Sequence, residues 1–133
     1  MPDTRTLAPL SRDDCLALLG SVPVGQVVFT YRALPDVLPV NFRVDRDSVV
    51  IRVAAGSRLA QVAEGTVLAF HADRVDETGR TGWSVTVVGR AAEVIDPDER
   101  ARIVALPLES WMDDTRDHVL RISAERVTGR RLG

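Results

Sequence analysis

A chain of 133 residues with 45% apolar content has the size of one ordinary domain and enough apolar side chains for a core. Its 17 basic and 19 acidic residues leave a net charge of −2, so no basic field draws it to nucleic acid or to an anionic membrane, and neither is expected as a partner. Every basic residue is an arginine; without lysine there is no pyridoxal Schiff base, no Walker-type phosphate loop and no lysine nucleophile or base.

The N-terminal stretch MPDTRTLAPLSRDD has no apolar signal region, and no run approaches bilayer length, so a cytoplasmic location is expected. Residues 1–9 read as a flexible arm on a single domain spanning 1–133. A first helix follows: Ser11 is a good N-cap, Asp13 and Asp14 suit the positive end, and Gly20 stops it. Cys15 is the lone cysteine, which excludes an intrachain disulfide, and with two separated histidines it makes no metal site at a familiar spacing.

After Pro23 the chain turns to strands. Residues 24–30 (VGQVVFT) are rich in β-branched and aromatic types, and residues 34–44 follow with Pro39 inside, which predicts an edge or a bulge. Ser48–Val53 (SVVIRV) is strongly β, and the turn residues 45–48 predict a hairpin with the preceding strand. Residues 57–64 form a short helix closed by Gly65, and residues 66–75 a strand. Residues 82–95 form a long strand with Gly89 at a bend or bulge. Asp96, Pro97 and Glu99 mark a helix start, and that helix runs to about Leu106 before Pro107. A final strand lies within 118–131. About six strands with short marginal helices, and no regular strand–helix alternation, predict a mainly β fold, a small antiparallel barrel.

The junction after Ser48–Val53 carries the chemistry. Val49, Ile51 and Val53 share one face, and Arg52 lies on the other. Ala54, Ala55 and Gly56 are small, and Gly56 permits φ > 0. Ser57 occupies an N-cap position, and Arg58 puts a cation in a first turn that normally favours acids. One reading is a phosphate site: Arg52 from the strand, Ser57 and backbone amides from the cap, Arg58 from the helix. The other is that Ser57 only caps, Arg58 is solvated and Arg52 pairs with an acid such as Glu64.

The segments "LPVNF", "AAGSRL", "FHAD", "GWSVTVVGRAAEV" and "VTGRRL" occur in an order and spacing that resembles the pyridoxamine 5′-phosphate oxidase-like proteins, the FMN-binding split β-barrels, in particular their small actinobacterial branch. The similarity runs from about Leu10 to Leu132. It implies a six-stranded antiparallel split β-barrel with short flanking helices, homodimeric, with cofactor sites at the subunit interface. It carries the phosphate role to Arg52, Ser57 and Arg58, where the family often has lysine at the helix start. It sets Pro39, Val40, Asn41 and Phe42 along the flavin ring, and Trp83 and Ser84 near the ring or ribityl chain, from the other subunit. The chain is shorter than the vitamin enzyme and offers no matching set of residues for pyridoxamine phosphate.

The remaining candidates have simpler readings. His71 alternates with apolar residues on its strand and reads as a satisfied structural histidine, as does His118. Trp111 reads as packing or a dimer contact, and Asp113, Asp114 and Asp117 as solvated surface. Arg126, Arg130 and Arg131 form a basic end, most simply a solvated one. Two distant histidines assemble no Ser-His-Asp or Cys-His arrangement. No catalytic side chain is assigned, so a cofactor must carry any chemistry. The expected function is an FMN-dependent oxidoreductase passing hydride or electrons to a small oxidised substrate. The alternatives are a deazaflavin-dependent reductase and a non-catalytic module that binds flavin or haem.

Overall fold

Alternation of buried and exposed positions builds the sheet. Along 81–93 nearly every second side chain points into the core, and the same period runs through 24–31. The computed structural model describes residues 7–106 and 118–133; Trp111, Asp113, Asp114 and Asp117 lie outside the described residues. The elements are β1 (Leu7–Pro9), α1 (Arg12–Leu19), β2 (Val24–Tyr31), β3 (Leu34–Asp45), β4 (Ser48–Val53), α2 (Arg58–Val62), β5 (Val67–Asp76), β6 (Thr81–Glu93), α3 (Pro97–Val104), β7 (His118–Ser123) and β8 (Arg126–Leu132).

The strands pair in the order β1-β8-β6-β5-β2-β3-β4-β7, and β7 returns to β6. Strands β2 to β7 thereby close a six-stranded antiparallel barrel. β6 holds the opening: its edge away from β5 pairs with β8 from Gly82 to Val88 and with β7 from Ala91 to Glu93. Between these stretches Gly89 and Arg90 of β6 lie opposite Ser123, Ala124 and Glu125, a bulge with one extra residue on the β7–β8 side. A Cβ on Gly89 would lie 1.6 Å from the Ser123 carbonyl oxygen, so the close approach requires glycine. The expected bulge at Gly89 is present. The single final strand expected within 118–131 is instead two strands, because the bulge interrupts the pairing.

A second difference is at the start. Leu7, Ala8 and Pro9, expected in a flexible arm, pair with Leu132, Arg131 and Arg130 as β1. Leu10 N–H then donates to Gly129 C=O at 2.9 Å. The edge of β8 supplies partners that a reading of the first nine residues alone does not contain.

The core fills the barrel and both its ends. Phe42 and Phe70 meet inside with centroids 4.6 Å apart, α1 contributes Cys15 and Leu19, and α2 contributes Leu59. Burial raises the Cys15 thiol above its ordinary pKa, with Asp14 adding to the shift. The caps form as read: Ser11, Ser57 and Asp96 accept from Asp14, Ala60 and Glu99 N–H at 3.1, 3.2 and 3.0 Å. Gly65 takes φ +73° after α2.

α3 covers the outer face of β4 and β7, where Val50, Val94, Ile103 and Val119 form a second cluster. This explains the near-continuous apolar run of β4: both its faces are covered. An ionic network pins α3 to the barrel. Arg102 donates to both Asp45 oxygens (2.8 and 3.0 Å), and Arg121 reaches Asp45 (3.0 Å), Glu99 (2.5 Å) and the Ser48 hydroxyl. Hydrogen bonds from Arg102 above all, with Arg121, hold the buried Asp45 carboxyl at about 2, against desolvation.

Among the described residues no helix covers the outer face of β2, β3 and β5. Val28 faces Val37 across the strands there, and they are 39% and 51% exposed. Among the described residues no helix is long and apolar enough to cross a membrane.

Candidate functional site

Arg52 projects from the outer face of β4, whose other alternate side chains, Val49, Ile51 and Val53, line the core. Across the β4–β7 pair it lies opposite Val119, with Arg121 opposite Val50. The Arg52 Nε is buried and, among the described residues, has no hydrogen-bond partner. A buried donor left unmade costs about 1–3 kcal/mol, so its retention needs a reason. Glu64 does not supply one, since its Oε2 accepts Glu93 N–H at 2.6 Å.

The chain turns tightly after β4. Ser57 N–H donates to Ala54 C=O at 3.0 Å, and the Ser57 hydroxyl caps α2 through Ala60 N–H. Gly56 is not among the glycines at positive φ, and a Cβ there would meet nothing within 4 Å. Its missing side chain leaves room beside the turn; the backbone conformation does not demand it. Arg58 is not simply solvated. Its Nη2 pairs with Asp36 Oδ2 at 3.0 Å, and its guanidinium lies 5.7 Å from the Tyr31 ring centroid. Asp36 and Tyr31 come from the β2–β3 hairpin. No local motif marks them; only the fold brings residues 31 and 36 to residue 58.

The strand at Pro39, Val40, Asn41 and Phe42 divides by face. Pro39 is exposed and Asn41 half-buried, whereas Val40 and Phe42 are in the core at 6% and 1% exposure. The side chains of Val40 and Phe42 are therefore committed to packing, and a ligand outside can meet only their backbone. β4 pairs with β3 only from Phe42 to Asp45, so the preceding part of β3 has β2 on one edge and, among the described residues, no strand on the other. Pro39 thus sits at an edge, as its missing N–H requires. Trp83 is in the apolar core at 8% exposure, and Ser84 is half-buried on the outer face between Asp73 and Arg130.

His71 is hydrogen-bonded on both nitrogens, Nδ1 to Thr86 Oγ1 at 3.1 Å and Nε2 to Asp73 Oδ2 at 3.3 Å. This line of hydroxyl, imidazole and carboxylate has no local sequence signal, because Thr86 joins it only through the pairing of β5 with β6. It lies mid-sheet between β2 and β6, where the backbone amides belong to strand pairing and offer no oxyanion hole. His118 Nδ1 lies 3.4 Å from Glu93 Oε1. Arg126, Arg130 and Arg131 are exposed on β8. Among the described residues no three His, Cys, Asp or Glu side chains gather as a metal site.

The residues at and before the β4–α2 turn fit an anionic cofactor tail on one ground: the Arg52 Nε is a buried donor with no hydrogen-bond partner among the described residues. Comparison with known proteins bears on what that tail belongs to. The chain is 41% identical to an uncharacterized protein of Mycobacterium tuberculosis over 133 residues, covering 96% of this chain and 87% of that one. A solved FAD binding protein from Mycobacterium smegmatis is 32% identical, with a TM-score of 0.83 over 95% of this chain and 98% of that one. A solved conserved protein of unknown function from Corynebacterium diphtheriae is also 32% identical, with a TM-score of 0.79 over 98% of this chain and 100% of that one. Residues 11–131 match the family model described as pyridoxamine 5′-phosphate oxidase, and the chain, with its closed six-stranded barrel, belongs to that family.

Proposed function

We propose that this protein is a cytoplasmic flavoprotein that binds FMN and passes hydride or electrons to a small oxidised substrate. The observation that carries the reading is the buried Nε of Arg52 on the outer face of β4, which has no partner among the described residues. A phosphate beside it would satisfy the donor and add a charge-assisted bond of about 1.5–3 kcal/mol. Ser57, the turn amides and Arg58 complete the phosphate site. Pro39 and Asn41 meet the ring with their side chains, Val40 and Phe42 with their backbone. Bound flavin supplies the redox chemistry, and the chain supplies position and field.

The functional unit is a homodimer in this reading, with Ser84 reaching each site from the second copy and Trp83, buried in the core, supporting it from behind. A sheet face that no described helix covers supports the dimer: Val28, Val37 and Val67 are 39%, 51% and 54% exposed there, and a second copy is the simplest cover. FAD is the second reading for the cofactor, because the relative from Mycobacterium smegmatis is an FAD binding protein. A deazaflavin would give a single band at shorter wavelength, and haem a Soret band.

The test is the absorbance of the purified protein, followed by mass spectrometry of the released cofactor. A two-band flavin spectrum with FMN released supports the reading, and FAD released moves it to the second. A colourless protein that takes up neither overturns both. Turnover is then measured with reduced nicotinamides and quinone or nitroaromatic acceptors. A flavin-loaded protein without turnover favours a sequestering role.

A further inference from the structure

We infer that Asp36 competes with the cofactor phosphate for Arg58, so that the β2–β3 hairpin regulates loading of the site. The inference rests on the phosphate reading above and adds an element to it. Arg58 Nη2 is 3.0 Å from Asp36 Oδ2, and the other Asp36 oxygen accepts Val37 N–H at 2.9 Å, which fixes the carboxylate. The guanidinium also lies 5.7 Å from the Tyr31 ring centroid, and Arg32 lies 5.1 Å from the same centroid. Tyr31 hydroxyl donates to Gln61 Oε1 at 3.4 Å, and Gln61 Nε2 donates to Gly56 C=O at 3.2 Å. The hairpin, the turn and α2 are therefore one connected unit.

The charges set the direction. In the phosphate reading Arg52 and Arg58 offer the anion a charge of +2, and Asp36, paired with Arg58, reduces the sum to +1. A phosphate dianion is therefore offered half the charge that the arginines alone would offer. The Arg58 side chain is 63% exposed and that of Asp36 25%, so water screens the pair and it exchanges readily. Loading transfers Arg58 from carboxylate to phosphate and releases this hold of the hairpin on α2.

The experiment compares wild type, Asp36→Asn, Arg58→Ala and the double variant, with FMN and riboflavin titrated by fluorescence quenching. Asparagine keeps an acceptor for Val37 N–H and removes the charge; Asp36→Ser, which also retains an acceptor, is the second variant. Asp36→Asn is expected to tighten FMN roughly three- to tenfold and leave riboflavin unchanged, with the gain lost in the Arg58→Ala background. Unchanged or weaker FMN binding in both Asp36 variants overturns the inference, as does a gain that persists without Arg58. If Arg58→Ala weakens FMN and riboflavin equally, the phosphate reading itself falls, and the inference with it. If Arg58→Ala selectively weakens FMN but neither Asp36 variant tightens it, only the inference falls.

Discussion

Replacing Arg52 with methionine separates a ligand-binding arginine from a structural one. The apolar stem is roughly preserved, so packing beside Val50 and Val119 changes little. In the empty protein the substitution removes a buried donor with no partner, a group that costs about 1–3 kcal/mol while unmade. Arg52→Met should therefore leave the apoprotein as stable as wild type, or about 1 kcal/mol more stable. With FMN the same change deletes a charge-assisted bond of about 1.5–3 kcal/mol, a loss of roughly 10- to 150-fold in affinity. Riboflavin lacks the phosphate and should lose less than about threefold by the same arithmetic. Thermal denaturation of the apoprotein and flavin-fluorescence titrations read the two effects. A destabilised apoprotein with equal losses for both ligands would refute the reasoning, since Arg52 would then be serving the fold.

Two further outcomes follow from the framework. Asp45 is held at about 2 against an ordinary 3.8, so its depressed value contributes stability at neutral pH that is lost as pH falls from about 4 through 2. The difference corresponds to about 2 kcal/mol, and Asp45→Asn should flatten that part of the stability–pH curve measured by urea denaturation. Gly89→Ala drives a Cβ into the Ser123 carbonyl and should cost about 3 kcal/mol, lowering the melting temperature by roughly 10 °C in a calorimetric scan; an unshifted transition would mean the bulge relaxes freely.

Local chemistry made much of the fold legible. The caps at Ser11, Ser57 and Asp96 read correctly because each is decided within four residues, and Ser48–Val53 matches its strand residue for residue. Pro39 declared an edge because a missing N–H cannot be hidden mid-sheet. β1 was not legible, since Leu7, Ala8 and Pro9 become a strand only against β8, more than a hundred residues away. The same limit governed the site. Alternation put Arg52 opposite Ile51, but its orphaned Nε is a property of three-dimensional burial. The Asp36 partner of Arg58 depended on a hairpin that folds back on α2.

The most direct measurement is a crystal structure of the protein with FMN. The account predicts a phosphate oxygen within about 3 Å of Arg52 Nε at the β4–α2 turn. A flavin bound elsewhere, with Arg52 Nε still buried and partnerless, would contradict it.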